Sequence, residues 1–149
     1  MSISVLTIVR NRADHLAQLV EGLRRSRQPP AELVIVDMAS DTPIDVGNTA
    51  FPVQVTTLAT ERLPLAEARN VAARIARCEH LLFLDVDCIP MRDLIGAMDN
   101  ALERSDALIC AEVLYLGPDD ARNQWTQEEL TLRGEAHPAV QVKDCQIAL

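Results

Sequence analysis

The sequence predicts a layered α/β domain built on a largely parallel sheet. Two observations carry that expectation: short aliphatic runs alternate with stretches of helical periodicity, and several of the runs end directly in polar residues. A chain of 149 residues is long enough to bury one hydrophobic core.

The elements follow in order. Ile3 to Val9 reads as a first strand. Leu16, Leu19, Val20 and Leu23 then recur at i, i+3, i+4 and i+7, one face of a helix, with Asn11 as its N-cap and Asp14 three residues on. Pro29-Pro30 ends that helix, and Leu33 to Val36 forms a second, buried strand that stops at Asp37 in a polar turn. Residues 42 to 51 read as a loop and Val53 to Leu58 as a third strand. Leu65, Ala68, Ala72, Ile75 and Ala76 trace a helix face of small residues suited to close packing on a sheet, and Arg69 lies off that stripe. Leu81-Leu82-Phe83-Leu84 is the most apolar strand candidate and leads straight into Asp85-Val86-Asp87. Leu94, Met98, Ala101 and Leu102 mark another helix, and Ala107 to Leu116 a further strand that ends at Gly117-Pro118. Gln124 to Arg133 reads as helical, and the tail after His137-Pro138 has no clear period. There is no internal repeat and no low-complexity segment.

Composition excludes several functions. Hydrophobic residues at 48% and charged residues at 24% are those of an ordinary globular chain, not of a disordered or fibrous one. With aromatics at only 3%, the core must be aliphatic. A formal charge of −8 with a single lysine, Lys143, argues against nucleic acid or an anionic membrane surface as the partner. No window approaches the ~20 apolar residues of a membrane span, and the start lacks the basic region and long apolar run of a signal peptide. Cysteines at 78, 88, 110 and 145 show no C-x-x-C spacing and no finger-like histidine partner, as expected of thiols in a reducing cytoplasm. A cytoplasmic, small-molecule role fits these properties.

In open parallel sheets the ligand crevice lies beyond the carboxyl ends of the strands. Arg10-Asn11, Asp37 and Asp85-Val86-Asp87 all fall there. Along an extended segment Asp85 and Asp87 point to one side and Val86 to the other, so two carboxylates converge. Such a pair suits a hard divalent ion, Mg²⁺ or Mn²⁺, that completes its shell with phosphate oxygens and water. With 12 aspartates in the chain, about one Asp-x-Asp is expected by chance, so position at a strand end supplies the weight.

Taken together and in order, Arg10-Asn11, Asp37 with Ser40 and Asp41, Ala68-Arg69-Asn70 and Asp85-Val86-Asp87 resemble the inverting GT-A glycosyltransferases of the family 2 type. The resemblance spans roughly residues 3 to 116. It implies a three-layer, Rossmann-like GT-A nucleotide-sugar-binding domain over residues 1–149, with 117–149 as a C-terminal extension. It also implies a nucleotide-diphospho-sugar donor, a UDP-sugar being favoured, held with Mn²⁺ or Mg²⁺ and donating its sugar to an acceptor.

Carried over residue by residue, the resemblance places the backbone around Val9, Arg10 and Asn11 beside the base and lets Asp37 accept from a base N–H. Arg69 would place its guanidinium near the diphosphate or the base, with a fork of donors that suits phosphate oxygens. Asp87 would be the direct metal ligand, with Asp85 reaching the ribose or a metal-bound water. Two departures stand out: Arg10 replaces an aromatic, and Ala39 stands where the turn often has glycine.

The family's general base follows a Gly-Gly-Phe-Asp-Glu-like segment, near a Glu-Asp pair, and this chain has neither. Asp119, Asp120, Glu128, Glu129 and Asp144 are its late carboxylates, and nothing assigns one of them as the base. The chain is therefore expected to lack the acceptor half, leaving open a non-catalytic or truncated binding module and, through an exposed apolar face, a homodimer. Leu84-Asp85-Val86-Asp87-Cys88-Ile89 also looks like the nucleophile loop of haloacid-dehalogenase-type phosphatases, with Asp85 as nucleophile and Asp87 as acid and base. That alternative needs a lysine ahead of a later acidic pair, and Lys143 follows Asp119-Asp120 instead. The five glycines form neither a dinucleotide fingerprint nor a P-loop.

Overall fold

A computed structural model describes residues 2–121 and 124–136. The tail after His137, with Lys143, Asp144 and Cys145, lies outside the described residues. The chain divides into two compact units, residues 1–104 and 105–149.

The first unit runs β1 (Ile3–Val9), α1 (Ala13–Arg24), β2 (Glu32–Asp37), β3 (Val53–Thr57), α2 (Leu65–Ile75), β4 (His80–Phe83) and α3 (Leu94–Leu102). The four strands form one parallel sheet in the order β3-β2-β1-β4. Every residue of β1 and β2 is buried, which is why their sequences are mostly apolar without strict alternation.

Strand order decides where the helices go. From β1 the chain steps outward to β2 and β3, then returns past β1 to lay down β4. Right-handed crossovers in opposite directions put α1 and α2 on opposite faces of the sheet. Residue parity agrees. Leu6, Ile8, Val34 and Val36 share a core with Ala68 and Ala72 of α2, whose missing side-chain bulk lets helix and sheet approach. The alternate set, Ile3, Val5, Val9, Leu33 and Ile35, is at most 1% exposed, and α1 contributes the equally buried Leu16, Leu19, Val20 and Leu23. Fully burying one such side chain stabilises by roughly 1.5–3 kcal/mol, so this double-sided core holds the sheet together.

One charged side chain buried among these strands is Glu32, 2% exposed at the amino end of β2. Its carboxylate accepts hydrogen bonds from the Ser4 hydroxyl (2.7 Å), the Arg77 backbone N–H (2.6 Å) and the Gln54 amide (2.6 Å). Burial pushes its pKa up, but these donors and the Arg77 guanidinium outweigh that and hold it below the ordinary glutamate value. The cluster ties β1, β2, β3 and the start of the segment leading to β4 at the end opposite the ligand edge.

Two sequence expectations change. Leu81 to Leu84, the most apolar strand candidate, is β4 displaced by one residue, with a single strand neighbour among the described residues and Phe83 47% exposed. Hydrophobicity reports that a strand packs somewhere, not that it has neighbours on both sides. Ala107 to Leu116, expected as a strand, is a strand only at β5 (Leu114–Tyr115), and Leu108 is 95% exposed. In the second unit β5 pairs antiparallel with β6 (Glu135–Ala136), and α4 spans Gln127–Arg133. The run 107–113 finds no partner strand among the described residues, so its apolar content alone does not make it one.

α4 begins at a capping box: Thr126 Oγ1 accepts from Glu129 N, and Glu129 accepts from Thr126 N. Glu129 thus has a structural use, as does Asp120, which accepts from Gly117 N.

Candidate functional site

A sheet whose strand order reverses opens a crevice beyond the carboxyl ends of the strands at the reversal. Here that point lies between β1 and β4, with β2 next to β1. The crevice edge is therefore built by the turn after Val9, by Asp37 and by the segment after Phe83. Main-chain bonds continue to the rim, with Met38 N donating to Val9 O (2.8 Å) and Leu84 N to Leu6 O (3.0 Å).

The first two turns are stapled together. Asn11 N donates to Ser40 Oγ (3.0 Å), Asn11 Nδ2 to Asp41 Oδ2 (3.0 Å), and Asp41 N to Asn11 Oδ1 (2.8 Å). This corrects the expectation that Asn11 caps α1. Arg12 holds the N-cap position, with no side-chain cap, and Asn11 sits at φ +53°. Asparagine tolerates that left-handed geometry better than most residues, and its amide is already committed across the crevice rim.

Asp37 is 5% exposed. Its Oδ1 accepts from both Ser40 N (3.0 Å) and Ser40 Oγ (2.6 Å), while Oδ2 accepts nothing from the described residues. Half of the carboxylate shapes the turn, and the other half is available. Ala39 takes φ +60° to close this turn, which explains why glycine suits the position. Arg10, from the end of β1, donates through Nη1 to Arg62 O (3.3 Å) in the loop before α2.

On the other side of β1, Asp85, Val86, Asp87 and Cys88 form a turn in which Cys88 N donates to Asp85 O (2.9 Å). The two carboxylates are therefore not brought together by strand alternation, as the sequence suggested. β4 ends at Phe83, and the chain turns instead. Burial first, then the charges of Asp87 and Asp85, raises the pKa of the Cys88 thiol in this turn. Arg69, one position past the buried Ala68 of α2, donates through Nη2 to Asp85 Oδ1 at 2.9 Å. Arg69 and Asp85 line a shallow cleft with Leu6, Ala72, Phe83 and Leu84.

The segment that follows the Asp85–Asp87 turn is held by α1 and the residues just after it, in contacts not anticipated from the sequence. Pro90 packs on Gly22, where an added Cβ would lie 2.7 Å from Pro90 Cδ and 2.8 Å from Pro90 O. Arg27 N donates to Arg92 O (2.9 Å), and Arg27 pairs with Asp93 (2.7 Å). A glycine in the middle of an amphipathic helix was the available signal, since such a residue often marks a close approach.

Structure thus brings Val9, Arg10, Asn11 and Asp37 to one part of the rim and Arg69, Asp85 and Asp87 to another. No group of three His, Cys, Asp or Glu side chains converges to hold a metal ion among the described residues. The family model described as Glycosyl transferase family 2 matches residues 4–146. The chain belongs to that family.

Among solved structures, S. aureus TarS 1–349 in complex with UDP-GlcNAc matches 83% of this chain and 37% of its own, at 19% identity and a TM-score of 0.65. The same segment in complex with UDP matches 83% of this chain and 38% of its own, at 24% identity and a TM-score of 0.62. TarS itself matches 69% of this chain and 19% of its own, at 23% identity and a TM-score of 0.54. At such identities the likeness establishes the GT-A fold, and this chain spans less than two fifths of those proteins. No curated protein matches it. The family assignment sets aside the dehalogenase-type phosphatase expectation. Among the described residues no helix is long and apolar enough to cross a membrane.

Proposed function

We propose that this chain binds a nucleotide-diphospho-sugar, a UDP-sugar in preference, together with Mn²⁺ or Mg²⁺, as the donor side of a glycosyl transfer to an acceptor. One observation carries the reading: the buried Asp37, with its unused Oδ2, and the Arg69–Asp85 pair flank β1 at the strand-order reversal. Asp37 Oδ2 accepts a base N–H, and the backbone at Val9 and Arg10 borders the ring. Asn11 acts on this site by holding the two turns in register.

The exposed, oxygen-only donor set of Asp85 and Asp87 fits a hard divalent cation that takes its remaining ligands from diphosphate and water. Asp87 is the direct ligand, and Asp85 joins it or reaches the ribose. When bound, the cation offsets the charge that collects on the departing nucleoside diphosphate. Arg69 adds a guanidinium for the phosphate oxygens.

Calorimetric titration with UDP and UDP-sugars, with and without MnCl₂, tests the reading. Cation-dependent binding that Asp87→Ala abolishes is expected. Absence of binding by every nucleotide tried, in the presence of cation, would refute it.

A further inference from the structure

Arg69 and Asp85 raise a question of order: the guanidinium proposed for the phosphate oxygens and a carboxylate proposed for the cation are bonded to each other. We propose that Arg69 is the resting counter-ion of Asp85 and releases it when the donor's diphosphate arrives, so that the cation loads with the nucleotide rather than before it. The inference rests on the donor-site reading above and adds to it the coupling between the two ligands.

Three features support it. First, the pair is breakable: its side chains are 42% and 66% exposed, and ion pairs in that setting are weak. Second, Arg69 has spare donors. Its bond to Asp85 uses one N–H of five, so the guanidinium can take two phosphate oxygens side by side, a better match than a single carboxylate oxygen. The buried Ala68 and Ala72 fix the helix on which Arg69 rides, so only the side chain has to move. Third, the cation is short of ligands without the donor. No third acidic, His or Cys side chain joins Asp85 and Asp87 among the described residues, and Arg69 already neutralises one of the two.

A diphosphate changes all three terms together: it draws Arg69 away, frees Asp85 and supplies the missing oxygens. By reciprocity, the cation must then raise nucleotide affinity by the same factor as the nucleotide raises cation affinity.

Electron paramagnetic resonance of free Mn²⁺ reads the coupling directly, without turnover. In wild type, saturating UDP should tighten Mn²⁺ binding at least tenfold. Arg69→Gln should tighten nucleotide-free Mn²⁺ binding by about 3- to 5-fold, the most that releasing one exposed ion pair allows. The same substitution made in an Asp85→Asn background should leave Mn²⁺ binding unchanged, which separates the pairing from the loss of a nearby positive charge. Arg69→Met, which keeps the aliphatic stem, should repeat the effect, and circular dichroism melts check that each variant folds. Unchanged or weaker nucleotide-free Mn²⁺ binding in Arg69→Gln, or equal tightening in both backgrounds, overturns the exchange while UDP·Mn²⁺ binding by wild type leaves the donor site standing. Failure of wild type to bind UDP with Mn²⁺ overturns both.

Discussion

Replacing Gly22 by alanine tests how the acidic turn is held. Two effects oppose each other. Alanine inside a helix is favoured over glycine by about 0.8–1.0 kcal/mol. Against that, the new Cβ would lie 2.7 Å from Pro90 Cδ and 2.8 Å from Pro90 O, and the second of these is backbone that cannot rotate away. Overpacking of this kind costs about 1–3 kcal/mol. Because the clash is with a ring and its own carbonyl, the upper half of that range applies, and the net effect is a loss of about 1–2 kcal/mol. Gly96→Ala is the matched control: its Cβ would meet only Gln28 Oε1, at 3.2 Å, the tip of a flexible side chain, so the helix preference wins. Thermal and urea unfolding should show Gly22→Ala melting several degrees lower and Gly96→Ala equal to or above wild type. Pro90 follows the Asp85–Asp87 turn by three residues, so Gly22→Ala should also weaken UDP·Mn²⁺ binding. A Gly22→Ala protein as stable as Gly96→Ala would refute the packing argument.

Two other substitutions probe the frame. Ala39→Gly should stabilise by up to about 1 kcal/mol in urea unfolding, because a left-handed alanine costs about 1–2 kcal/mol and the added freedom of the unfolded chain returns about half of that; a loss of stability would contradict it. Glu32→Gln should destabilise by about 2–4 kcal/mol at pH 7, since it removes the charge of a buried carboxylate that three donors share. The folded-state pKa of Glu32 is depressed, so its contribution is fully present above the unfolded value of about 4.3 and is lost as pH falls through the lower folded value. The stability gap between wild type and Glu32→Gln should accordingly be constant from pH 7 to 5 and shrink below about pH 4; a gap that ignores pH would rule out the charge as its source.

The parts of this molecule legible in the sequence are those written in one segment at a time. β1, β2, α1 and α2 announce themselves because each carries its own periodicity; β1, β2 and α2 are found within a residue or two of their expected limits, while α1 ends at Arg24, five residues before the Pro29-Pro30 pair expected to end it. The order Arg10-Asn11, Asp37, Arg69 and Asp85-Val86-Asp87 is legible for the same reason. What the sequence hides are relations between segments. Asn11 looks like a helix cap because cap residues are recognised locally, whereas its amide bonds to Asp41, thirty residues on. The run 81–84 looks central because it is apolar, whereas the sheet order gives it one strand neighbour among the described residues. Asp85 and Asp87 look like neighbours on an extended strand, whereas a single backbone bond, Cys88 N to Asp85 O, folds them into a turn.

Asp37 shows how one side chain joins fold to site, and Asp37→Asn separates the two roles. An asparagine can keep its oxygen at the Oδ1 position, where Ser40 N and Ser40 Oγ both donate, because that position requires an acceptor. The amide nitrogen is then forced to the Oδ2 position, the one proposed to meet the base. The turn loses only the extra strength of bonds to a charged acceptor, a cost of about 1 kcal/mol. The ligand fares worse, since a base N–H now meets a donor instead of an acceptor, and two donors face to face leave both unpaired. That mismatch costs about 1–3 kcal/mol, or about 5- to 150-fold in the UDP dissociation constant. The expected signature is therefore a small fall in melting temperature beside a large loss of nucleotide affinity. Were Asp37→Asn to unfold the chain, the buried carboxylate would be chiefly structural; were it to bind UDP within twofold of wild type, the base would not contact Asp37. A ligand lacking the ring N–H, such as N3-methyl-UDP, should likewise bind wild type more weakly than UDP does, because its N3 can no longer donate to Asp37.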